Sequence, residues 1–349
     1  MEEPTTTSAV LVTGGTGYLA SWVVKELLAD GYHVHATVRN LRDAPRLATL
    51  HALPGASERL TLFEANLLED RSFDRAMRGC ERVIHCASPF EISGIHDPQK
   101  QLVEPAVNGT RNVLGSVERT SSIRRVVLTS SVAAIYGDAQ DLRVAGKKAF
   151  TEADWNTTSS LGHLPYSYSK TLAERAAQEL SEKQTRWDLV IINPSFIFGP
   201  ALDPKASGVS QTIMRRFADG TYKSGMADLW YGFVDVRDVA RAHILGAFSS
   251  TASGRYIVSG RSGSLLEVAA ILRDAFGTRY PLPKRKAPKF ILWLLPKMFD
   301  VTREYVTRNV GVPVDFDHRR SVEMLGVRYR PLETTVREHF EQVAATITE

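Results

Sequence analysis

Tyr166 and Lys170 stand four positions apart in the stretch LPYSYSKTLAER. On a helix that spacing puts both side chains on one face. A phenol has an ordinary pKa of about 10 and is a poor acid or base near neutrality. A nearby ammonium favours the phenolate and draws that value down. A phenol tuned this way can hand a proton to a carbonyl oxygen as hydride reaches the carbon. The spacing alone is common, and an amphipathic helix start with a surface lysine looks the same. Tyr168 makes no competing pair, because position 172 is Leu172.

The second cluster is TGGTGYLASW, residues 13–22, directly after the apolar run Ala9-Val10-Leu11-Val12. Gly14, Gly17 and Ala20 follow one another at three-residue steps between a strand pattern and a helix pattern. One glycine makes a tight turn, another lets the backbone approach a pyrophosphate, and a small third residue lets helix and strand pack closely. The free N–H groups and the dipole of the helix start then face the phosphates. Thr13, Gly14, Gly17, Tyr18 and Leu19 are the expected contacts on this turn. NAD preference usually shows as an acid ending the second strand. Here that strand ends Ala36-Thr37-Val38-Arg39, and a guanidinium suits a 2′-phosphate. Arg42 and Arg46 add positive charge nearby. The expected cofactor is therefore NADP(H), with Arg39 stacking on adenine as the other role open to that side chain.

Other chemistry is thinly represented. Two cysteines, Cys80 and Cys86, make neither a disulfide framework nor a metal spacing. Nine histidines are scattered, with no HxxxH or HExxH pattern, so no metal is expected. His163, three residues before Tyr166, is the one placed to edge a substrate pocket. Net charge is +4, and the densest basic run is Lys284-Arg285-Lys286 with Lys289 after it. That reads as a solvated surface, without a nucleic-acid motif. The stretch Phe290 to Phe299 is broken by Pro296 and is too short for the roughly 20 residues of a membrane span. It is expected as core, a dimer surface or a pocket wall. The N-terminal MEEPTTTS is acidic and polar, not a secretory signal. A cytoplasmic protein, monomer or homodimer, is expected.

These groups need elements to position them. Ala9–Val12, His33–Val38, Leu60–Phe63, Arg82–Ala87, Arg125–Leu128 and Asp188–Ile192 read as strands. Helical patterns at Leu19–Ala29, Ser72–Arg78, Gln101–Arg119 and Tyr168–Leu180 fall between them. Apolar strands alternating with helices imply a parallel sheet covered on both faces. Leu128-Thr129-Ser130-Ser131 closes the fifth strand, where such sheets gather ligand groups. After about residue 195 the rhythm breaks. Leu265–Ala275 and Pro331–Ile347 look helical. The expected division is a dinucleotide-binding domain over 1–195 and a mainly substrate-binding lobe over 196–349, whose elements partly return to the first.

As a set, these stretches resemble the extended short-chain dehydrogenase/reductases. The nearest resemblance is to the dihydroflavonol 4-reductase, cinnamoyl-CoA reductase and yeast-type aldehyde/ketone reductase group. It is carried by VLVTGGTGYLASWVVKELLADGYHVHATVRN, RRVVLTSSVAAIYGD, YSYSKTLAERAA, INPSFIFGP and FVDVRDVARAHI, over about residues 8–280. The resemblance implies a Rossmann-type doubly wound parallel sheet with a smaller C-terminal substrate lobe. It implies NADPH-dependent reduction of a ketone or aldehyde, by a catalytic Ser131, Tyr166 and Lys170, with Ser130 the adjacent alternative to Ser131. Tyr166 would protonate the oxygen, Lys170 would lower the Tyr pKa and bind the nicotinamide ribose, and Ser131 would orient the carbonyl. Ala87, Pro194 and Ser195 would line ribose and nicotinamide, and Asn66 and Leu67 the adenine.

Three departures from the group stand out. Asn66-Leu67 replaces its frequent Asp-Leu. Leu164-Pro165 replaces the Asn-Trp of cinnamoyl-CoA reductases, which argues against a CoA thioester. Tyr136 stands where flavonoid reductases often carry a substrate-binding Asn. No clustered Arg or Lys marks an anionic pocket, so an apolar or aromatic carbonyl compound is the expected partner. Phe90, Ile92, Tyr136, Phe196, Met226 and Tyr231 are expected as its walls. Asp235 and Asp238, with Arg237 and Arg241, are expected to hold the C-terminal lobe by ion pairs. The rival readings are an NAD-dependent nucleotide-sugar epimerase or dehydratase, and a non-catalytic NADP sensor.

Overall fold

The structure is a computed structural model that describes residues 8–88, 94–203, 206–296 and 301–347. The chain starts as strand and helix in turn: β1 (Ala9–Thr13), α1 (Tyr18–Ala29), β2 (Val34–Val38), α2 (Ala44–His51), α3 (Ala56–Arg59) and β3 (Leu60–Glu64). Next come α4 (Asp74–Met77), β4 (Cys80–His85), α5 (Glu104–Arg119), β5 (Arg125–Thr129), α6 (Gln140–Val144), α7 (Pro165–Glu182) and β6 (Asp188–Pro194). The second half holds β7 (Phe196–Phe198), α8 (Val209–Ala218), β8 (Trp230–Asp235), α9 (Val236–Phe248), β9 (Gly254–Val258) and β10 (Arg261–Ser264). It ends with α10 (Leu265–Phe276), α11 (Lys289–Leu294), α12 (Arg303–Asn309), α13 (Arg319–Glu323) and α14 (Leu332–Ala345).

Seven strands form one parallel sheet in the order β3-β2-β1-β4-β5-β6-β9. The order reverses beside β1, between β2 and β4, which opens a crevice at their C-terminal ends. The period of two in β1 explains its two-sided burial. Val10 and Val12 join the core under α1 and α9, while Leu11 joins the core under α5 and α7. Both faces of a parallel strand are covered, so the strands are apolar throughout rather than alternating. Leu27, Val23, Val113 and Val117 are fully buried from the helix side. Truncating one such Leu to Ala destabilises a core by about 2–5 kcal/mol.

The seventh strand, β9, lies outside the six that sequence periodicity identifies. Its run Arg255-Tyr256-Ile257-Val258 is short and begins on Gly254, and only pairing with β6 makes it a strand. A second, three-stranded sheet, β10-β8-β7, leads into the C-terminal lobe. That lobe has its own core of Phe198, Met214, Phe217, Phe233, Val268, Leu272, Val336 and Phe340. Among the described residues no helix is long and apolar enough to cross a membrane.

Candidate active site

The glycine turn is built by backbone geometry. Gly14 has φ of +71°, a left-handed conformation that disfavours side chains. A Cβ there would also stand 3.1 Å from Ala87 Cα. Gly14 N–H donates to Thr37 Oγ1 (3.1 Å), Gly15 N–H to Thr37 O (2.8 Å) and Gly17 N–H to Gly14 O (2.8 Å). Helix α1 then starts on Gly17 with no side-chain cap, so its first N–H groups stay open to an anion. Thr13 is buried at the strand end. Its hydroxyl accepts from Ala87 N–H (3.0 Å) and meets His85 Nδ1 (2.8 Å), tying β1 to β4 across the crevice. Tyr18 differs from the rest of the turn: its hydroxyl donates to Gly199 O at 2.6 Å, so the side chain reaches into the C-terminal half. Only the backbone of Tyr18 and Leu19 belongs to the open helix start.

Arg39 follows β2 directly and is exposed, with Arg42 also exposed and Arg46 paired to Asp43 at 3.5 Å. Asn66 is exposed after β3. Its Oδ1 accepts from Leu68 N–H (3.1 Å) and its amide donates to Glu69 (2.8 Å). This asparagine therefore shapes its own turn first, and any base contact would use its second lone pair. Leu67 packs on α5 at Gly109, where an added Cβ would come within 2.5 Å of it. Asn112 fixes it further by donating to Leu67 O at 3.0 Å.

Helix α7 carries the Tyr–Lys pair on its first two turns. Pro165 sits where a missing N–H does no harm, and Leu164 before it has φ of +54°. Tyr166 is half-buried and Lys170 is buried at 8% exposure. Lys170 Nζ donates to Ser88 Oγ at 2.9 Å and lies 5.9 Å from the Tyr166 ring centroid. Here the electrostatics depart from the sequence expectation. Burial pushes the Tyr166 phenol up to about 12, and the ammonium does not pull it below its ordinary value. Burial also pushes Lys170 down to about 8, against support from Glu174. Desolvation wins because it acts on each group wherever it sits, whereas the pair attraction weakens with their separation. Burial likewise takes His85 down to about 3 and Cys86 up to about 12, so both are neutral.

The two serines after β5 have different surroundings. Ser130 is buried and donates its hydroxyl to Glu174. Ser131 caps the following short turn, accepting from Ala133 N–H at 3.1 Å, and this turn packs against α7. Among the described residues no acceptor takes its own proton. The structure thus sets Ser130 and Lys170 on one cavity with His85, Ala87, Ser88 and Glu174, and packs the short turn capped by Ser131 against α7. It also adds residues that sequence reading passed over: Ser88, Thr37, Glu174, Asn193 and Arg255. Glu174 had a signal, since positions 166, 170 and 174 share a helical face.

Other expectations are corrected. His163 is buried with Nε2 2.9 Å from both Asp138 oxygens, in a cluster with Arg308 and Asn309, so its ring is committed to that cluster. Met226 is core of the C-terminal lobe rather than a wall, since it is only 5% exposed among Phe217 and Phe233. Tyr136 packs on Phe150 (5.1 Å) and Phe316 (5.3 Å), and Tyr231 on Phe196 (5.3 Å). Phe90, Ile92 and Phe299 lie outside the described residues. Asp235–Arg237–Glu338 and Asp238–Arg330 do hold the C-terminal segment, but Arg241 pairs with Asp30 just after α1, at 2.6 Å. In the basic run, Lys286 pairs with Asp228 at 2.7 Å. Leu292 is buried while Phe290, Trp293, Leu294 and Leu295 are exposed.

The residues present suit a dinucleotide. The turn is shaped for close backbone approach, the helix start is uncapped, and the buried Ser195 Oγ after β6 has no hydrogen-bond partner among the described residues. Pro194 is buried beside it, and Ala87 closes over Gly14.

Comparison with known proteins agrees. Residues 10–257 match the NAD dependent epimerase/dehydratase family. Cinnamoyl-CoA reductase CAD2 of Medicago truncatula is 38% identical, over 96% of this chain and 95% of that protein. Tetraketide alpha-pyrone reductase 1 of Arabidopsis thaliana is 36% identical, over 97% and 95%. Among solved structures, Gre2 of Candida albicans in complex with NADPH superimposes with a TM-score of 0.79 at 28% identity, covering 97% of this chain and 99% of that one.

Proposed function

This chain belongs to the NAD dependent epimerase/dehydratase family, as an NAD(P)-dependent oxidoreductase of the extended short-chain dehydrogenase/reductase type, and from that premise we propose that it is an NADPH-dependent carbonyl reductase. The observation that carries the reading is the buried Lys170 beside Tyr166 on the first turns of α7, next to the Ser131 turn. Bound NADPH supplies the hydride. Ser131 holds the substrate oxygen through its hydroxyl proton. Tyr166 donates its phenolic proton to that oxygen as negative charge develops there. Raised to about 12 by burial, the phenol stays protonated at neutral pH, the form an acid needs. Lys170 supports the phenolate left behind. Arg39 favours the 2′-phosphate.

Residues 1–195 hold the dinucleotide on this reading, and 196–349 mainly shape the substrate site. The substrate is an apolar or aromatic ketone or aldehyde, with Tyr136, Phe196 and Tyr231, each packed against another ring, as its walls. Leu164-Pro165 disfavours a CoA thioester, although a cinnamoyl-CoA reductase is among the relatives. Tyr166→Phe tests the proposal. NADPH oxidation followed by absorbance over a carbonyl panel should fall by about a hundredfold or more, while NADPH binding is kept. A variant with near-normal kcat removes Tyr166 as the acid.

A further inference from the structure

Glu174 is two turns beyond Tyr166 and one beyond Lys170 on α7, and its side chain is fully buried. A buried carboxylate destabilises the fold unless its oxygens are paired. Three elements supply the partners. Ser130, after β5, donates its hydroxyl. Asn193, on β6, donates Nδ2 to Oε2 at 2.7 Å. Arg255, on β9, places Nε 2.6 Å from Oε1 and lies over the Trp155 ring at 4.0 Å.

Asn193 links this carboxylate to the proposed site. The same Nδ2 donates to Ser131 O at 3.1 Å, while its Oδ1 is buried with no partner among the described residues. Flipping the amide would set that oxygen against both the carboxylate and the Ser131 carbonyl. Glu174 therefore dictates how Asn193 points, and Asn193 holds the backbone of Ser131. Lys170 is faced by Ser88 after β4, by Cys86 and His85 at its end, and by Tyr166 and Glu174 on α7. Of these, Glu174 is the carboxyl group; burial raises its pKa, and the Arg255 guanidinium with the Ser130 and Asn193 hydrogen bonds acts against that to favour the charged form.

We infer that Glu174 and Asn193 are positioning residues of the reaction: Glu174 orients Asn193 and supports the Lys170 ammonium, and Asn193 pins the Ser131 backbone beside Tyr166. This rests on the roles proposed above for Ser131, Tyr166 and Lys170. Glu174→Gln keeps the shape and removes the charge. Loss of that charge makes the ammonium easier to deprotonate. The alkaline limb of the kcat–pH profile should then move down by about one pH unit. Asn193→Ala frees the Ser131 carbonyl, so kcat should fall about tenfold with the NADPH Kd within about twofold.

A merely structural pair would behave differently. If Glu174→Gln lowers the melting temperature but leaves kcat and its alkaline limb in place, the carboxylate only joins β9 to α7 and the inference fails. An Asn193→Ala enzyme with unchanged kcat overturns the Ser131 link. Should that variant not fold, the pH limb of the near-isosteric Glu174→Gln decides alone. Tyr166→Phe, run alongside, separates the two levels. Its loss of turnover keeps the reading while the network is judged, and near-normal turnover overturns the reading itself.

Discussion

Lys170→Met should stabilise the protein without cofactor while abolishing reduction. The Lys170 ammonium is held at about 8 against an ordinary 10.5, by burial. That difference of about 2.5 units corresponds to roughly 3 kcal/mol of penalty for carrying the charge in the fold. Its hydrogen bond to Ser88 offsets about 1 kcal/mol of what the substitution would gain. A net gain of about 2 kcal/mol in a chain of this length raises Tm by about 3 °C. The pH dependence has a definite sign. Between about 8 and 10.5 the unfolded chain binds the Lys170 proton and the folded chain does not, so native stability rises with pH there. Below about 8 the penalty is full and constant. The advantage of Lys170→Met should therefore be greatest at pH 7 and vanish above about 10.5. Scanning calorimetry of both proteins, without NADPH, from pH 7 to 11 measures it. A variant less stable at pH 7, or a Tm difference flat across that range, refutes the reasoning.

Two further outcomes are expected. Arg39→Asp removes the exposed cation after β2. The ratio of kcat/KM for NADPH over NADH should fall by about 10- to 100-fold, in line with 1.5–3 kcal/mol for a charged hydrogen bond; an unchanged ratio removes Arg39 from the phosphate. Gly14→Ala puts a side chain at φ of +71° and a Cβ 3.1 Å from Ala87 Cα, whose N–H is anchored to Thr13. The left-handed strain alone is about 1–2 kcal/mol. Melting temperature and NADPH affinity should both drop, and a variant that keeps both contradicts the proposed turn geometry.

Local pattern was enough to reveal the first six strands, the glycine turn and the Tyr166–Lys170 spacing. Each is written in neighbours a few residues apart: apolar runs, a glycine that must take positive φ, a pair one helical turn apart. Tertiary structure alone decided the rest. The short run after Gly254 became the seventh strand only by pairing with β6. His163 looked placed for the pocket, yet Asp138, 25 residues earlier, turns it into a buried ion cluster. Ser130 and Ser131 are chemically identical neighbours, and only the arrival of Glu174 gives the first an acceptor for its proton. The Tyr166 phenol moved up rather than down because of burial, which no spacing reports. Desolvation and long-range pairing depend on what the whole chain packs around a group, so they stay unwritten in any short stretch of it.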